Sequence, residues 1–153
     1  MKVIIGNDHA GVELKNALVK HLTGLGYDVT DIGVASGEKC HYPEKAKELC
    51  ERIISGEFER GILVCGTGIG MSMSANKFPG IRAAATSDYF GAKYTRLHND
   101  ANVLCLGQRI IGEGAACELA QVFMETEFDT ENPRHKIRVD MMNEFDKLKY
   151  EEK

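Results

Sequence analysis

Apolar residues along this chain follow two alternating periods. Short, nearly unbroken runs, Val3-Ile4-Ile5, Val29 to Ile32, Ile62 to Cys65, Ile81 to Ala85 and Val103 to Leu106, read as strands covered on both faces. Between them, residues 11–24, 43–55, 71–77, 88–98 and 113–126 place apolar side chains at helical spacing. The first of these repeats Leu14, Leu18, Leu22 and Leu25 and is stopped by Gly24 to Gly26. Strands alternating with amphipathic helices predict βαβ units on a five-stranded parallel sheet. Right-handed crossovers restrict these to a doubly wound, three-layer αβα sandwich of class α/β. A last helical pattern, about 134–149, carries Ile137, Met141, Phe145 and Leu148 behind an Asn132-Pro133 start. It follows the final strand and need not cross the sheet, so its apolar stripe is expected to contact a partner subunit.

Composition narrows the partners. The chain, 1–153, is long enough for one domain whose core needs neither disulfide nor metal, and no repeat or composition shift marks a second. Its net charge of −4 is spread in mixed sign. It therefore lacks the basic face that nucleic-acid binding requires. The longest uncharged stretch, Gly61 to Asn76, is broken by glycines and polar residues, so no membrane span is expected. The amino end enters a strand pattern at once, without the apolar region and cleavage site of a secretion signal, and a cytoplasmic location is expected. The cysteines at 40, 50, 65, 105 and 117 form no C-x-x-C pair, which predicts free thiols and no metal centre. Small metabolites remain as the expected partners.

In open α/β sheets ligands bind beyond the carboxyl ends of the strands. There the chain reads Gly6-Asn7-Asp8-His9, Cys65-Gly66-Thr67-Gly68, Ser87-Asp88 and Gly107-Gln108-Arg109, and reactive groups are expected to converge on that edge. The stretch LVCGTGIGMSMSANK, residues 63–77, is the most informative. A strand ends in a cysteine, glycines follow at alternate positions, and helix formers resume. Such a turn brings backbone N–H groups close to an anion. Cys65, just ahead of a helix start, has surroundings that favour the thiolate, a form able to abstract protons. The plain alternative is a buried cysteine finishing a core strand.

Other motifs carry similar pairs of readings. The glycine spacing invites a dinucleotide site with Asp88 as its acidic partner, but Met71 stands where the fingerprint needs its third glycine, and the motif follows the third strand instead of the first. A phosphoacceptor signalling module needs an aspartate ending strand three and a lysine ending strand five, where this chain has Cys65 and Gly107-Gln108-Arg109. Asp8-His9 suits a sugar hydroxyl or a phosphate, although Asp8 also reads as an ordinary helix cap. His98-Asn99-Asp100 lies where the helix pattern breaks before strand five, and its plain reading is a polar turn, the more frequent role for such a triplet. Arg134 and Arg138 share one helix face, as a phosphate site or as a solvated basic surface.

Taken together, IIGNDHAG, GILVCGTGIGMSMSANKFPGIRAA, RLHNDANVLCLGQR and RHKIRVD resemble, in order and across residues 2–148, the type B ribose-5-phosphate isomerase family, which includes the paired subunits of galactose-6-phosphate isomerase. The resemblance implies a Rossmann- or flavodoxin-like sandwich and a homodimer or dimer of dimers whose active sites are shared between subunits. It implies interconversion of ribose 5-phosphate and ribulose 5-phosphate through an enediolate, without metal or nucleotide cofactor, galactose 6-phosphate and allose 6-phosphate being the alternative substrates. Cys65 would move the proton between C1 and C2, with Thr67 beside it. Amides around Gly66, Gly68 and Gly70, assisted by Asn99, would hold the enediolate oxygen. His98 would open the furanose ring and Asp8 would contact the sugar. His9, Arg109, Arg134 and Arg138 would hold the phosphate, some of them from the partner.

The chemistry agrees with that implication. Proton removal next to a carbonyl is hard because charge appears on oxygen, and each preorganised N–H donor there is worth about 2.7–4 kcal/mol. Glycines would keep side chains from standing between such amides and the substrate. Some relatives carry a glutamate base just after the last loop glycine, where this chain has Met71, so the thiol is the available base. Two departures bear on sugar size. His41-Tyr42-Pro43 stands where many ribose-5-phosphate isomerases read Asp-Tyr-Pro, and Asp129 to Pro133 replaces a common Gly-Gly before Arg-His.

Overall fold

The runs richest in Val, Ile and Leu occupy the middle of the sheet. Strands β1 (Lys2–Asn7), β3 (Arg60–Cys65) and β5 (Val103–Gly107) are flanked by β2 (Asp28–Asp31) and β4 (Ala83–Ala85), all parallel, in the order β2-β1-β3-β5-β4. The computed structural model from which this architecture is taken describes residues 1–148. Edge strands β2 and β4 are the short, partly exposed ones, as strands covered less completely should be. β4 starts later than the apolar run predicts because Arg82 N donates to the Asn102 side chain instead of joining the ladder. Asn76 then clips the strand from its open side, Oδ1 accepting from Ala83 N and Nδ2 donating to Ala83 O, both at 2.8 Å.

Helices α1 (Val12–Gly24), α4 (Tyr89–Asn99) and α5 (Glu113–Glu125) cover one face of the sheet around Leu14, Leu18, Leu22, Ala92 and Phe123. Helices α2 (Tyr42–Ile54) and α3 (Ile69–Ala75) cover the other around Leu49, Ile53 and Met71. Connections stepping toward β2 run over the first face and those stepping toward β4 over the second, as a single crossover hand demands. Consequently β3 sends its chain to one face while both neighbours, β1 and β5, send theirs to the other. The backbone diverges on both sides of the β3 carboxyl end, which is where ligand crevices form in such sheets.

Helix α6 (Pro133–Phe145) begins behind Asn132, whose Oδ1 accepts from Arg134 N. It turns His135 and Val139 inward, whereas Ile137, Met141, Phe145 and Leu148 are each more than half exposed. The predicted apolar stripe therefore lies on the outside of this chain. The helix ends at Phe145 with Asp146 as its C-cap, short of the predicted end at 149, a residue outside those described. Leu25, grouped with the buried leucines by its spacing, sits past the end of α1 and is 45 % exposed.

Candidate active site

Cys65 is the last residue of β3 and is buried. Its Sγ accepts a hydrogen bond from Gly68 N at 3.1 Å. Gly68 has φ +77°, and a Cβ there would meet the β5 backbone at Cys105 O, 3.0 Å away. On the facing strand a Cβ at Gly107 would lie 2.6 Å from the Thr67 backbone. These two glycines let the loop lie flat on β5 and turn one amide onto the sulfur. This differs from the expectation that all three loop glycines keep bare amides toward a substrate. The Gly68 N–H is engaged by Cys65, and a Cβ on Gly70 would press on the Tyr42 ring at 3.0 Å.

Further predicted groups gather on this carboxyl edge. Asp8 is buried, its N donates to Val64 O at 3.1 Å, and its Oδ1 accepts from Ala10 N at 2.9 Å. The N-cap of α1 is Gly11, so the helix-cap reading of Asp8 is not what the chain uses. His9 is exposed, with Nδ1 3.4 Å from Cys40 O. Arg109 donates its backbone N to Gly66 O at 3.0 Å and lays its guanidinium over Gly66, whose missing Cβ would be 3.5 Å from Cζ. Thr67 Oγ1 accepts from Ile69 N at 3.4 Å, and Thr67 lines a hollow of about 200 Å³ with Ile69, Ser87 and Gly107. At the first βα turn, where a dinucleotide phosphate would sit, Leu14 N donates to Gln108 Oε1 and Gln108 Nε2 donates to Glu13.

His98, Asn99, Arg134 and Arg138 are elsewhere. Helix α4 starts beyond the carboxyl end of β4 and runs back along the sheet, so His98-Asn99 arrive at the amino end of β5. Asp100 ends the helix in the left-handed region, φ +49°, and accepts from Arg96 and Arg82 at 2.8 Å each. Asn102 O then accepts from Gly61 N, at the start of the β3–β5 ladder. Five residues of β5 set the two edges about 16 Å apart. The His135 ring of α6 lies 4.3 Å from the His98 ring, which brings the exposed Arg134 and Arg138 helix to this same amino edge. The expected convergence on one edge thus holds for the strand-end residues, whereas these four, which lie outside the strand ends, sit at the opposite edge of the same chain.

Two concavities larger than the Thr67 hollow also lie away from Cys65. One of about 420 Å³ includes Asn99, Arg82, Thr95, Met142 and Phe145. Another of about 430 Å³ includes Arg60, Arg82 and Arg96. Arg60 and Arg96 are already engaged with the end of α5, donating to Met124 O at 2.6 Å and Thr126 O at 3.2 Å respectively. All five cysteines are free. Burial pushes the Cys50 thiol up to about 12 and that of Cys105 well above its ordinary value.

Sequence reasoning passed over several residues that shape these edges. Asn7, fully buried, donates from Nδ2 to Asp8 O at 2.7 Å and Val34 O at 3.3 Å, tying the end of β1 to the loop after β2. A polar residue closing an apolar strand was the available signal. Asn76, Gln108, Asp129 and His135 stood within quoted motifs, but nothing there named their partners, which lie on other elements or across a turn.

A doubly wound sheet with reactive groups on its carboxyl edge is the plan of an α/β enzyme. The chain matches the family described as Ribose/Galactose Isomerase over residues 3–142. It is 40% identical over 139 residues to ribose-5-phosphate isomerase B of Escherichia coli, covering 91% of this chain and 92% of that one. It is 45% identical over 133 residues to the 4-deoxy-4-sulfo-D-erythrose isomerase of a Clostridium species, covering 86% and 83%. A solved Clostridium thermocellum ribose-5-phosphate isomerase B, 41% identical, superposes with a TM-score of 0.92 over 96% of this chain and 98% of that one. The chain belongs to the ribose/galactose isomerase family, and it is an isomerase. That class sets aside the non-catalytic nucleotide-binding or signalling module. Among the described residues no helix is long and apolar enough to cross a membrane.

Proposed function

We propose that the protein interconverts ribose 5-phosphate and ribulose 5-phosphate, without metal or nucleotide, at sites that each combine the carboxyl edge of one chain with the amino edge of a second. His98 opens the furanose ring. Cys65 takes the proton from C2 of the open aldose and delivers it to C1, while the charge passes through an enediolate. With the Gly68 amide on the sulfur, the Gly66 and Gly70 amides and Asn99 are the donors for the enediolate oxygen. Asp8 contacts the sugar and Thr67 sits beside the base. His9 and Arg109 hold the phosphate from one chain, and Arg134 and Arg138 from the other.

The observation that carries this reading is the division of the predicted groups between two sheet edges of one chain, with an amide-held thiol on one and an outward apolar stripe beside the other. A homodimer, or a dimer of dimers, is the smallest assembly that completes such a site. Cys65→Ala is expected to lower kcat on ribose 5-phosphate by about 10²- to 10⁴-fold, the range for loss of a general base. Near-normal turnover by that variant overturns the assignment.

A four-carbon acid sugar is the second reading, favoured by the 45% identity to the sulfo-erythrose isomerase. The hexose 6-phosphates form the third, through His41 and the Asp129–Pro133 segment. Catalytic efficiencies for ribose 5-phosphate, erythrose 4-phosphate, allose 6-phosphate and galactose 6-phosphate decide among them, with the highest value expected for the pentose.

A further inference from the structure

The amino edge holds an arrangement that the proposed reaction does not yet use. Helix α4 places Phe90, Tyr94 and His98 one turn apart, and their rings form a column. Phe90 stacks on Tyr94 with centroids 3.9 Å apart, and Tyr94 meets the His98 ring edge-on at 4.6 Å. The column continues off the helix to His135 of α6, 4.3 Å beyond His98. His98 is thus braced on two sides. His135 is itself buried, with Nδ1 3.2 Å from Asp129 Oδ2, at ion-pair distance but off the line of a hydrogen bond. Asp129 is fixed independently, since its Oδ1 accepts from Glu131 N at 3.0 Å and its own N donates to Leu97 O, the residue before His98, at 3.0 Å.

We infer that His135 and Asp129 are positioning residues for His98, holding its imidazole in the orientation that opens the sugar ring. The inference rests on the ring-opening role proposed above for His98. In that step the C1–O4 bond breaks, the proton on O1 leaves, and O4 gains a proton. The group handling both protons must stay within hydrogen-bond reach of two oxygens in turn, which a freely rotating imidazole does not do. The Asp129 carboxylate, 3.2 Å from Nδ1, favours one placement of the buried His135 ring through charge, and a His135 ring so held, 4.3 Å from His98, in turn limits rotation of His98. Asp129 belongs to the segment that departs from the common Gly-Gly.

Substrate chemistry supplies the test. Erythrose 4-phosphate carries its phosphate on the C4 oxygen, so it has no hydroxyl with which to close a five-membered ring, and it reaches the enzyme as the open aldehyde. Asp129→Asn and His135→Phe, the latter keeping a ring in the column, are compared with wild type on both substrates, with thermal unfolding as a control on folding. Each is expected to lower kcat on ribose 5-phosphate by about ten-fold or more while changing turnover of erythrose 4-phosphate by less than about two-fold. Should the tetrose not be turned over, solvent deuterium exchange at C1 of ribulose 5-phosphate, which is also acyclic, reads the proton-transfer step in its place. Equal losses on cyclic and acyclic substrates, or no loss on either, overturn the inference. His98→Asn separates the two levels. If it shows the split and the Asp129 and His135 variants do not, only the positioning role fails. If it shows no split, the ring-opening reading fails and takes this inference with it.

Discussion

The two edges of the sheet are built by different means. The carboxyl edge is made of backbone, with Cys65 at a strand end, Gly68 turning its amide to the sulfur, and Gly68 and Gly107 bringing loop and β5 together. The amino edge is made of side chains, where rings of α4 and α6 stack and Asp100 gathers Arg82 and Arg96. A backbone cradle is complete within one chain. The amino edge instead turns Arg134, Arg138 and the Ile137–Met141–Phe145 stripe outward. Under the proposed function, stabilising charge on an oxygen and opening a ring fall on surfaces about one strand length apart, and assembly is what would join them.

The largest effect expected from that division is complementation. Cys65→Ala disables the carboxyl edge and His98→Asn the amino edge, so each variant alone is nearly inactive on ribose 5-phosphate. In a two-fold dimer of one variant with the other, one site carries both lesions and its companion carries neither. Random pairing makes about half the dimers mixed, so a co-refolded equimolar mixture should recover about a quarter of wild-type activity. Mixtures that stay as inactive as their components place both groups in one chain's site and dissolve the contrast between the edges.

A smaller effect tests whether the carboxyl edge is as dependent on backbone as it appears from its glycines. Gly68→Ala puts a Cβ in the left-handed region and against Cys105 O. The conformational cost alone is about 1–2 kcal/mol, and displacement of the amide from Cys65 Sγ should lower kcat as well. Gly114, where a Cβ meets nothing within 4 Å, is the control and should tolerate alanine. Urea midpoints and kcat for both variants decide the matter, and an unaffected Gly68→Ala enzyme removes the loop amide from the account.

What was legible in the sequence follows the same line. Strand-end residues announce themselves, because a parallel sheet puts every carboxyl end on one edge and the alternation of runs gives the strands. Asp8, Cys65, the glycine loop and Arg109 were readable for that reason, as was the fold. The place of His98-Asn99-Asp100 before strand five was also readable, but the residues themselves look like any polar turn, and their packing against α6 was not. Gly68 was legible as a glycine but not for its packing on β5, which is a contact between elements 37 residues apart or more. The Asp129–His135 pair had no local signal, since its meaning comes from a helix that the pattern gives no reason to place beside α4.

A last effect, on stability alone, concerns pH and separates the carboxyl edge from the core just beneath it. Cys50 and Cys105 share the apolar cluster that also contains Cys65, and burial pushes Cys50 from 9.0 to about 12 and Cys105 well upward. Folded, the Cys50 thiol keeps its proton to about 12, whereas the unfolded chain releases it near 9.0. Between those values the unfolded state binds fewer protons, so stability falls as pH rises, by about 1.4 kcal/mol per pH unit at the steepest for each such thiol. Below the unfolded value neither thiol contributes to the slope. Urea midpoints measured from about pH 8 to about pH 10.5 should therefore decline, and the decline should be shallower in Cys50→Ala, which has one fewer buried thiol to hold neutral. Identical slopes for wild type and Cys50→Ala remove the buried thiol from the account. The same alkaline range should leave Cys50 and Cys105 unalkylated in the folded protein, so that sulfhydryl reagents read the loop and surface cysteines without contribution from these two.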